Sequence, residues 1–316
     1  MEKVSVIIPT YNRSRQVVDA VESVLAQSWP ELEVLVIDDG STDDTETVLS
    51  PYLDRIRYVR KPNGGVSSAR NRGIREATGG KVAFLDSDDT WHPDKLRKQM
   101  ECMARAGSKV CFCVSADESR EAIDDLRVMD AGLEQGGERF YPPGDCRMFK
   151  FPRHPFLQSM VAEREALIKA GGFDESLRVA EDTRLIYQLI LAHGHSVVNE
   201  ILVSICRERD GPGLSDTMDP ESAFNRFECY IRVQAEAWWR LVPLDAEAAS
   251  AVRGNLAYFV SRQAEIACAL GWKPVAKRYA SEGLALRGGL KCFVRNLMIR
   301  LAYPLVAGRF AAKWRE

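Results

Sequence analysis

Three carboxylates crowd into Asp86-Ser-Asp-Asp89, directly after the unbroken apolar run Val82-Ala-Phe-Leu85. Such a run reads as a strand inside a parallel sheet, which puts the acids at its carboxyl end, where open α/β sheets bind ligands. Carboxylates this close repel one another unless a positive charge is shared among them, and their hard oxygens suit Mg²⁺ or Mn²⁺. Such ions usually keep only one or two protein carboxylates and take phosphate oxygens elsewhere, so the first chemistry indicated is a metal-diphosphate site. Taken alone, an Asp-x-Asp is equally an acidic turn capping the next helix. Two more acidic clusters therefore matter: Asp38-Asp-Gly-Ser41, and Glu181-Asp182 ahead of Leu185, Ile186, Leu189 and Ile190 at helical spacing. Each also has a local explanation, a turn with a helix cap for the first and the preference of acids for a helix amino terminus for the second.

The elements that must position these acids alternate. Val4-Ser-Val-Ile-Ile8 and Glu33-Val-Leu-Val-Ile37 read as buried strands, Ile56-Arg-Tyr-Val59 as a third, and Val82–Leu85 as a fourth. Between the first two lies a helical pattern carrying Val17, Val18, Val21, Val24 and Leu25, expected to be capped by Ser14 and to end near Trp29-Pro30. A short helix runs toward Leu49. Another is expected after Asn63-Gly-Gly65, capped by Ser67 or Ser68 and stopped by Gly79-Gly80. The order β-α-β-α with right-handed crossovers predicts a doubly wound, mostly parallel sheet flanked by helices, so the acidic loops leave from one edge and converge.

Composition excludes several classes. The 316 residues carry a net charge of -2 and are 46% hydrophobic, enough for a sizeable core and no reason to expect nucleic acid. The eight cysteines form no C-x-x-C pair, and Met1-Glu-Lys leads into an apolar run too short for a secretory signal. A cytoplasmic protein with reduced thiols is expected.

Four ordered blocks resemble family 2 glycosyltransferases of the GT-A, nucleotide-diphospho-sugar transferase type. They are Val4-Ser-Val-Ile-Ile-Pro-Thr-Tyr-Asn-Arg13, Val36-Ile-Asp-Asp-Gly-Ser-Thr-Asp43, the stretch Asn63 to Asp89, and Gly171-Gly-Phe-Asp-Glu-Ser-Leu177 followed by Glu181-Asp182. The resemblance implies that Pro9, Thr10 and Tyr11 line a nucleobase pocket and that Asp39, with Asp38 behind it, accepts a hydrogen bond from the base. Arg13, Asn63, Arg70 and Ser87 would help hold the nucleotide. Asp86 and Asp88 match the family's Asp-x-Asp, which holds ribose and a Mn²⁺ or Mg²⁺ ion bridging the diphosphate. Asp182 would be the general base, with Glu181 orienting it or binding the acceptor, though the two roles are exchangeable. The implied reaction is inverting transfer from a nucleotide-diphosphate sugar, typically a UDP-sugar, to a saccharide or lipid-linked saccharide acceptor.

Residues 1–218 would then form the transferase domain, 1–115 its nucleotide-sugar half and 116–218 its acceptor half. Many members carry Arg-x-His after the Glu-Asp helix, but Cys206-Arg-Glu-Arg209 puts Arg209 where the histidine would be. A histidine ligand is thus in doubt, while Arg207 and Arg209 in a Gly-Pro-Gly lid would suit phosphate oxygens.

From 219 to 316 the pattern is helical, with helices expected over Ala223–Arg240, Ala246–Ala269 and Pro274–Leu286 and with Trp238 and Trp239 packing them together. The last 44 residues, Lys273 to Glu316, hold ten Lys/Arg against two Asp/Glu. There Leu290, Phe293, Val294, Leu297, Met298 and Leu301 make one apolar arc flanked by Lys291, Arg295 and Arg300. Residues 287–316 read either as a membrane-surface helix, peripheral on the inner face, or as a helix docked on the protein core with basic flanks in water. Two other functions compete. Asp86-Ser-Asp-Asp-Thr90 also fits the Asp-x-Asp-x-Thr of haloacid-dehalogenase-like phosphatases, with Asp86 as nucleophile. A non-catalytic sugar-nucleotide-binding protein would keep the pocket without turnover, against which the Glu181-Asp182 pair argues.

Overall fold

Apolar runs buried on both faces make the first strands. In a computed structural model describing residues 1–117, 133–150, 155–206, 219–286 and 289–313, all seven residues of β1 (Val4–Thr10) are buried. Beside it, β2 (Leu32–Asp38) and β4 (Lys81–Phe84) pair parallel to β1, and β3 (Arg57–Arg60) pairs parallel to β2. The register sets Thr10 opposite Asp38 and Ile7 opposite Phe84, so the loops after β1, β2 and β4 leave from one edge. The connecting helices are α1 (Val17–Leu25), α2 (Thr45–Leu49) and α3 (Val66–Glu76).

Two helix starts differ from expectation. The N-cap of α1 is Gln16, while the Ser14 amide donates instead to Asp43 Oδ2 at 3.0 Å, tying the loop after β1 to the loop after β2; the helix also stops at Leu25, ahead of Trp29. Ser67 and Ser68 lie inside α3, whose N-cap is Gly65 at φ 87°, a conformation glycine adopts without steric cost. Farther along α3, a Cβ on Gly73 would stand 2.4 Å from Ile7 Cγ2, so that glycine lets the helix close onto β1.

The rest of the sheet comes from β5 (Thr90–Trp91), β6 (Val110–Ala116), β7 (Glu138–Tyr141), β8 (Val161–Glu163) and β9 (His195–Ser204), with α4 (Lys95–Ala106), α5 (Arg164–Lys169) and α6 (Glu181–His193). The order is β3-β2-β1-β4-β8-β6-β9-β5, with β7 on β9. Most paired residues are in parallel ladders; β8, inserted antiparallel between β4 and β6, and the short β5 and β7 are the exceptions.

One buried charge marks this core. Lys95, at the start of α4, is fully buried, its Nζ makes no hydrogen bond among the described residues, and it lies 3.7 Å over the Trp91 ring. Burial pushes its pKa down to about 8. A lysine whose folded pKa lies below its unfolded one costs stability in full below pH 8, and the cost fades as pH rises from about 8 toward 10.5. Lys95→Met should therefore stabilise the fold at pH 7 by about 1–2 kcal/mol after allowing for the lost ring contact. Urea denaturation should show that gain shrinking by pH 10; a destabilised Lys95→Met would refute it.

The described residues divide into two compact units, the sheet with its helices and a helical unit. The latter contains α7 (Pro220–Leu241), α8 (Ala246–Ala269), α9 (Lys273–Ala285) and α10 (Leu290–Lys313). Its core joins Leu256, Val260 and Ala264 of α8 to Ala276 and Ala280 of α9 and to Ile299, Tyr303 and Val306 of α10. Trp238 packs against this core as expected, but Trp239 is 75% exposed. Successive helical residues point about 100° apart, so both indoles cannot face inward. No described helix is long and apolar enough to cross a membrane.

Candidate active site

The loops at the sheet's carboxyl edge are knitted by short polar side chains. Asn12, at φ 50°, accepts from the Thr42 amide at 2.7 Å and donates its own amide to Ser41 Oγ at 3.0 Å. Asp38 accepts from the Ser41 amide at 2.7 Å and from the Tyr58 hydroxyl, so it braces its own turn. Asp39, buried beside it, accepts from the amides of Gly64 at 3.0 Å and Gly65 at 2.7 Å and from Lys61 Nζ. This carboxylate thus fixes the loop that opens α3. Around it Pro9 and Thr10 are buried, Tyr11 is 47% exposed, and Asn63 is exposed. Thr10 Oγ1 is buried without a hydrogen-bond partner among the described residues.

Arg70 is the hub. Glycine at positions 65 and 73 brings α3 close over the sheet, and the buried guanidinium donates from NH2 to Asp86 Oδ1 and from NH1 to Glu181 Oε1, both at 2.7 Å. Burial favours its neutral form, but Asp86 and then Glu181 outweigh burial and hold it more firmly protonated than usual. It also lies 5.3 Å over the Phe173 ring, itself edge-on to Phe84 at 5.2 Å. The Gly171-Gly-Phe turn is gripped by Asn71, whose Oδ1 accepts from the Phe173 amide at 2.8 Å and whose Nδ2 donates to the Phe173 carbonyl at 2.9 Å. A Cβ on Gly172, at φ 68°, would meet Asn71 Oδ1 at 2.5 Å, so the grip requires glycine there.

Glu181 and Asp182 open α6 from an unusual backbone. Ala180 sits at φ 63°, a left-handed conformation costing a non-glycine residue about 1–2 kcal/mol and held only where the surroundings fix it. Burial, and then Asp182, push the Glu181 carboxyl up against the pull of Arg70. Asp182 is half-buried; its Oδ1 accepts from the Thr183 amide at 2.6 Å, and among the described residues its Oδ2 makes no hydrogen bond. That oxygen suits an incoming proton.

The second limb of the acidic cluster was not foreseen. Gln158, buried just before β8, donates from Nε2 to Asp86 Oδ2 at 2.8 Å and Asp89 Oδ2 at 2.6 Å, while its carbonyl accepts from the Trp91 indole at 3.1 Å. The Cys206 amide, just past β9, donates to Asp89 Oδ1 at 3.0 Å. Ser87 is buried, and Asp88 lies 3.9 Å from Arg13 NH1. Burial, then Asp86 and Asp88, push Asp89 up to about 8. Negative charge is therefore in excess on this side, and its hard oxygens fit a divalent cation. Among the described residues no three His, Cys, Asp or Glu side chains form a ready cage, so such an ion would need further oxygens from a ligand. Arg207 and Arg209 lie outside the described residues.

One arginine joining two acidic motifs, at the carboxyl edge of a mixed sheet of this order, marks a protein of GT-A architecture. The fold is similar to that of S. aureus TarS 1–349 in complex with UDP-GlcNAc, with a TM-score of 0.67 at 21% identity over 99% of this chain and 91% of that one. It is also similar to the mannosyltransferase PcManGT from Pyrobaculum calidifontis in complex with GDP-Man and Mn²⁺, with a TM-score of 0.59 at 19% identity over 100% and 88%. Residues 5–151 match the model for glycosyl transferase family 2, and the chain carries a glycosyltransferase domain of that family. An uncharacterized glycosyltransferase of Rickettsia typhi is 29% identical over 82% of this chain and 77% of its own length. A second, from Rickettsia conorii, is 48% identical over 69% of this chain but only 34% of its own length. The putative teichuronic acid biosynthesis glycosyltransferase TuaG of Bacillus subtilis is 48% identical over 34% of this chain and 45% of its own length. The chain thus spans less than half of the last two.

Proposed function

We propose that this enzyme moves a hexosyl or N-acetylhexosaminyl group from a nucleotide-diphosphate sugar, a UDP-sugar in the first instance, onto a hydroxyl of a saccharide or lipid-linked saccharide, with inversion. The observation that carries this reading is the Arg70 bridge, which joins Asp86 of the diphosphate-side motif to Glu181, 111 residues away from Arg70 and adjacent to the base. Asp182 takes the proton of the acceptor hydroxyl as its oxygen bonds to the anomeric carbon, and the bond from that carbon to the diphosphate breaks on the opposite side. Glu181 holds the acceptor side in register through Arg70. Pro9, Thr10 and Tyr11 would line the base pocket and Asp39, with Asp38 behind it, would accept a hydrogen bond from the base, while Arg13, Asn63, Arg70, Asp86 and Ser87 would hold the nucleotide.

Asp88, with Asp86, would hold Mn²⁺ or Mg²⁺, which when bound supplies positive charge to the leaving diphosphate. Arg207 and Arg209 would clamp the same phosphates. The UDP-GlcNAc of the TarS complex and the GDP-Man and Mn²⁺ of the PcManGT complex support a nucleotide-sugar donor and a metal. The name of TuaG supports an envelope polysaccharide as the product. A cytoplasmic setting is supported by the cysteines, all eight of which lie among the described residues and form no disulfide. Against a phosphatase role, Asp86 follows the fourth strand of the sheet, and that role would leave the loops after β1 and β2 without a part.

Titration of UDP-, GDP- and dTDP-sugars with Mn²⁺, Mg²⁺ or chelator tests the reading. One donor should bind only with metal present, and Asp88→Ala should weaken that binding at least about tenfold, the equivalent of about 1.4 kcal/mol. If no nucleotide-sugar binds with either metal, the donor assignment fails.

A further inference from the structure

The last helix of the helical unit has two apolar faces, and only one is covered. The inward face of α10 is fixed by three contacts. Ile299, Tyr303 and Val306 pack into the bundle core, and Asn296 fits against Gly283, where a Cβ would come within 2.3 Å of its Nδ2. Arg295 pairs with the buried Glu265 at 3.3 Å. These contacts set the rotation of the helix about its axis.

The opposite face is bare. Leu290 is 77% exposed and Leu301 73%, and Phe293, Val294, Leu297 and Met298 between them are all exposed. At about 100° per residue the six side chains fill an arc of about 140°, with Lys291 and Arg300, both exposed, at its two margins. A contiguous apolar strip of this kind marks an interaction surface. Its charge selects the partner. The charged residues at its margins, Lys291 and Arg300, are both basic, and residues 273–316 as a whole hold ten Lys/Arg against two Asp/Glu, so a second copy of this face would meet like charge, whereas an anionic bilayer offers the opposite sign.

We infer that the outer face of α10 lies on an anionic lipid bilayer, its six apolar side chains entering the headgroup boundary and Lys291 and Arg300 reaching out to lipid phosphates. Long basic side chains at the margins of an apolar arc keep their stems in the apolar layer and their heads in the polar one. The inference uses residues of the helical unit alone and holds whatever donor the active site takes.

Vesicle flotation of the full chain tests it, with phosphatidylglycerol-containing and pure phosphatidylcholine vesicles at low and high salt. Wild type should favour the anionic vesicles by at least about tenfold, and high salt should reduce that preference. Phe293→Glu with Leu301→Glu should abolish binding, and Lys291→Glu with Arg300→Glu should cost about fivefold or more per basic residue on anionic vesicles only. All four positions are exposed, so unchanged urea denaturation and nucleotide-sugar binding would confirm that fold and active site survive. Absence of binding to either vesicle, or binding indifferent to both double variants, would overturn the inference. So would sedimentation showing a dimer that Phe293→Glu with Leu301→Glu dissolves, which would assign the face to a second copy.

Discussion

Arg70→Met should destabilise the sheet unit by about 3 kcal/mol at pH 8, toward the lower end of what breaking a buried ion pair costs because Asp86 keeps some contact with water. Methionine preserves most of the packing over Phe173 but removes the one cation that, among the described residues, Asp86 and Glu181 share. Glu181 is then buried beside Asp182 with only a backbone hydrogen bond to offset burial and its neighbour, and its folded pKa climbs further above the unfolded value. A carboxyl shifted in that direction costs stability above its unfolded pKa, and the cost is recovered as pH falls and the group takes up its proton. The deficit of Arg70→Met should therefore be larger at pH 8 than at pH 5 in paired urea titrations. Arg70→Lys should lie between the two, since an ammonium restores charge but not the fork that reaches both carboxylates. A deficit below about 1 kcal/mol at both pH values would mean that the bridge does not hold the two motifs together.

Asp182→Asn should lower turnover by about three orders of magnitude, within the range that a positioned general base contributes, while leaving donor affinity unchanged. Asparagine keeps an oxygen able to accept from the Thr183 amide, so the first turn of α6 stays capped. Slow hydrolysis of the bound nucleotide-sugar measures turnover even before an acceptor is known. Activity within tenfold of wild type would remove Asp182 from the base role. Glu181→Gln is the informative contrast. It removes one arm of the Arg70 bridge and should cost stability as well as turnover, separating a positioning defect from a chemical one.

What could be read from the sequence follows the range of the forces involved. The alternation of apolar runs with acidic turns is local, and it disclosed β1, β2 and β4, the shared edge of their loops, and the acids on it. The entry of Glu181 and Asp182 into a helix buried on its Leu185, Ile186, Leu189 and Ile190 side was equally legible, because the period of the apolar positions states it. Gln158 was not: a glutamine in an irregular stretch looks solvated, and its role appears only when β8 slots beside β4 and brings it to carboxylates 72 and 69 residues away. Lys61, Asn71 and the Cys206 amide escaped for the same reason. The helix starts were misplaced because serine is a good cap in general, but at α3 a glycine already turns the chain, and at Ser14 the loop after β2 claims the amide. The paired tryptophans show the limit of composition, which said that indoles bury but not which of two neighbours would.

The antiparallel seam at β8 also sets how much chain must be looped out between the two halves of the site. β1 pairs with β2 and β2 with β3 across short crossovers, whereas β4 returns to β1 only after the whole of β2, β3 and α3, and Lys81 of β4 meets Glu163 a further 82 residues on. Loop-closure entropy is thus small for the half that carries Asp38, Asp39 and Arg70 and large for the half that delivers Glu181 and Asp182. Arg70 and Asp86 are only 16 residues apart, so the contact of the same guanidinium with Glu181, 111 residues away, is the one that ties the two ends of a long loop together.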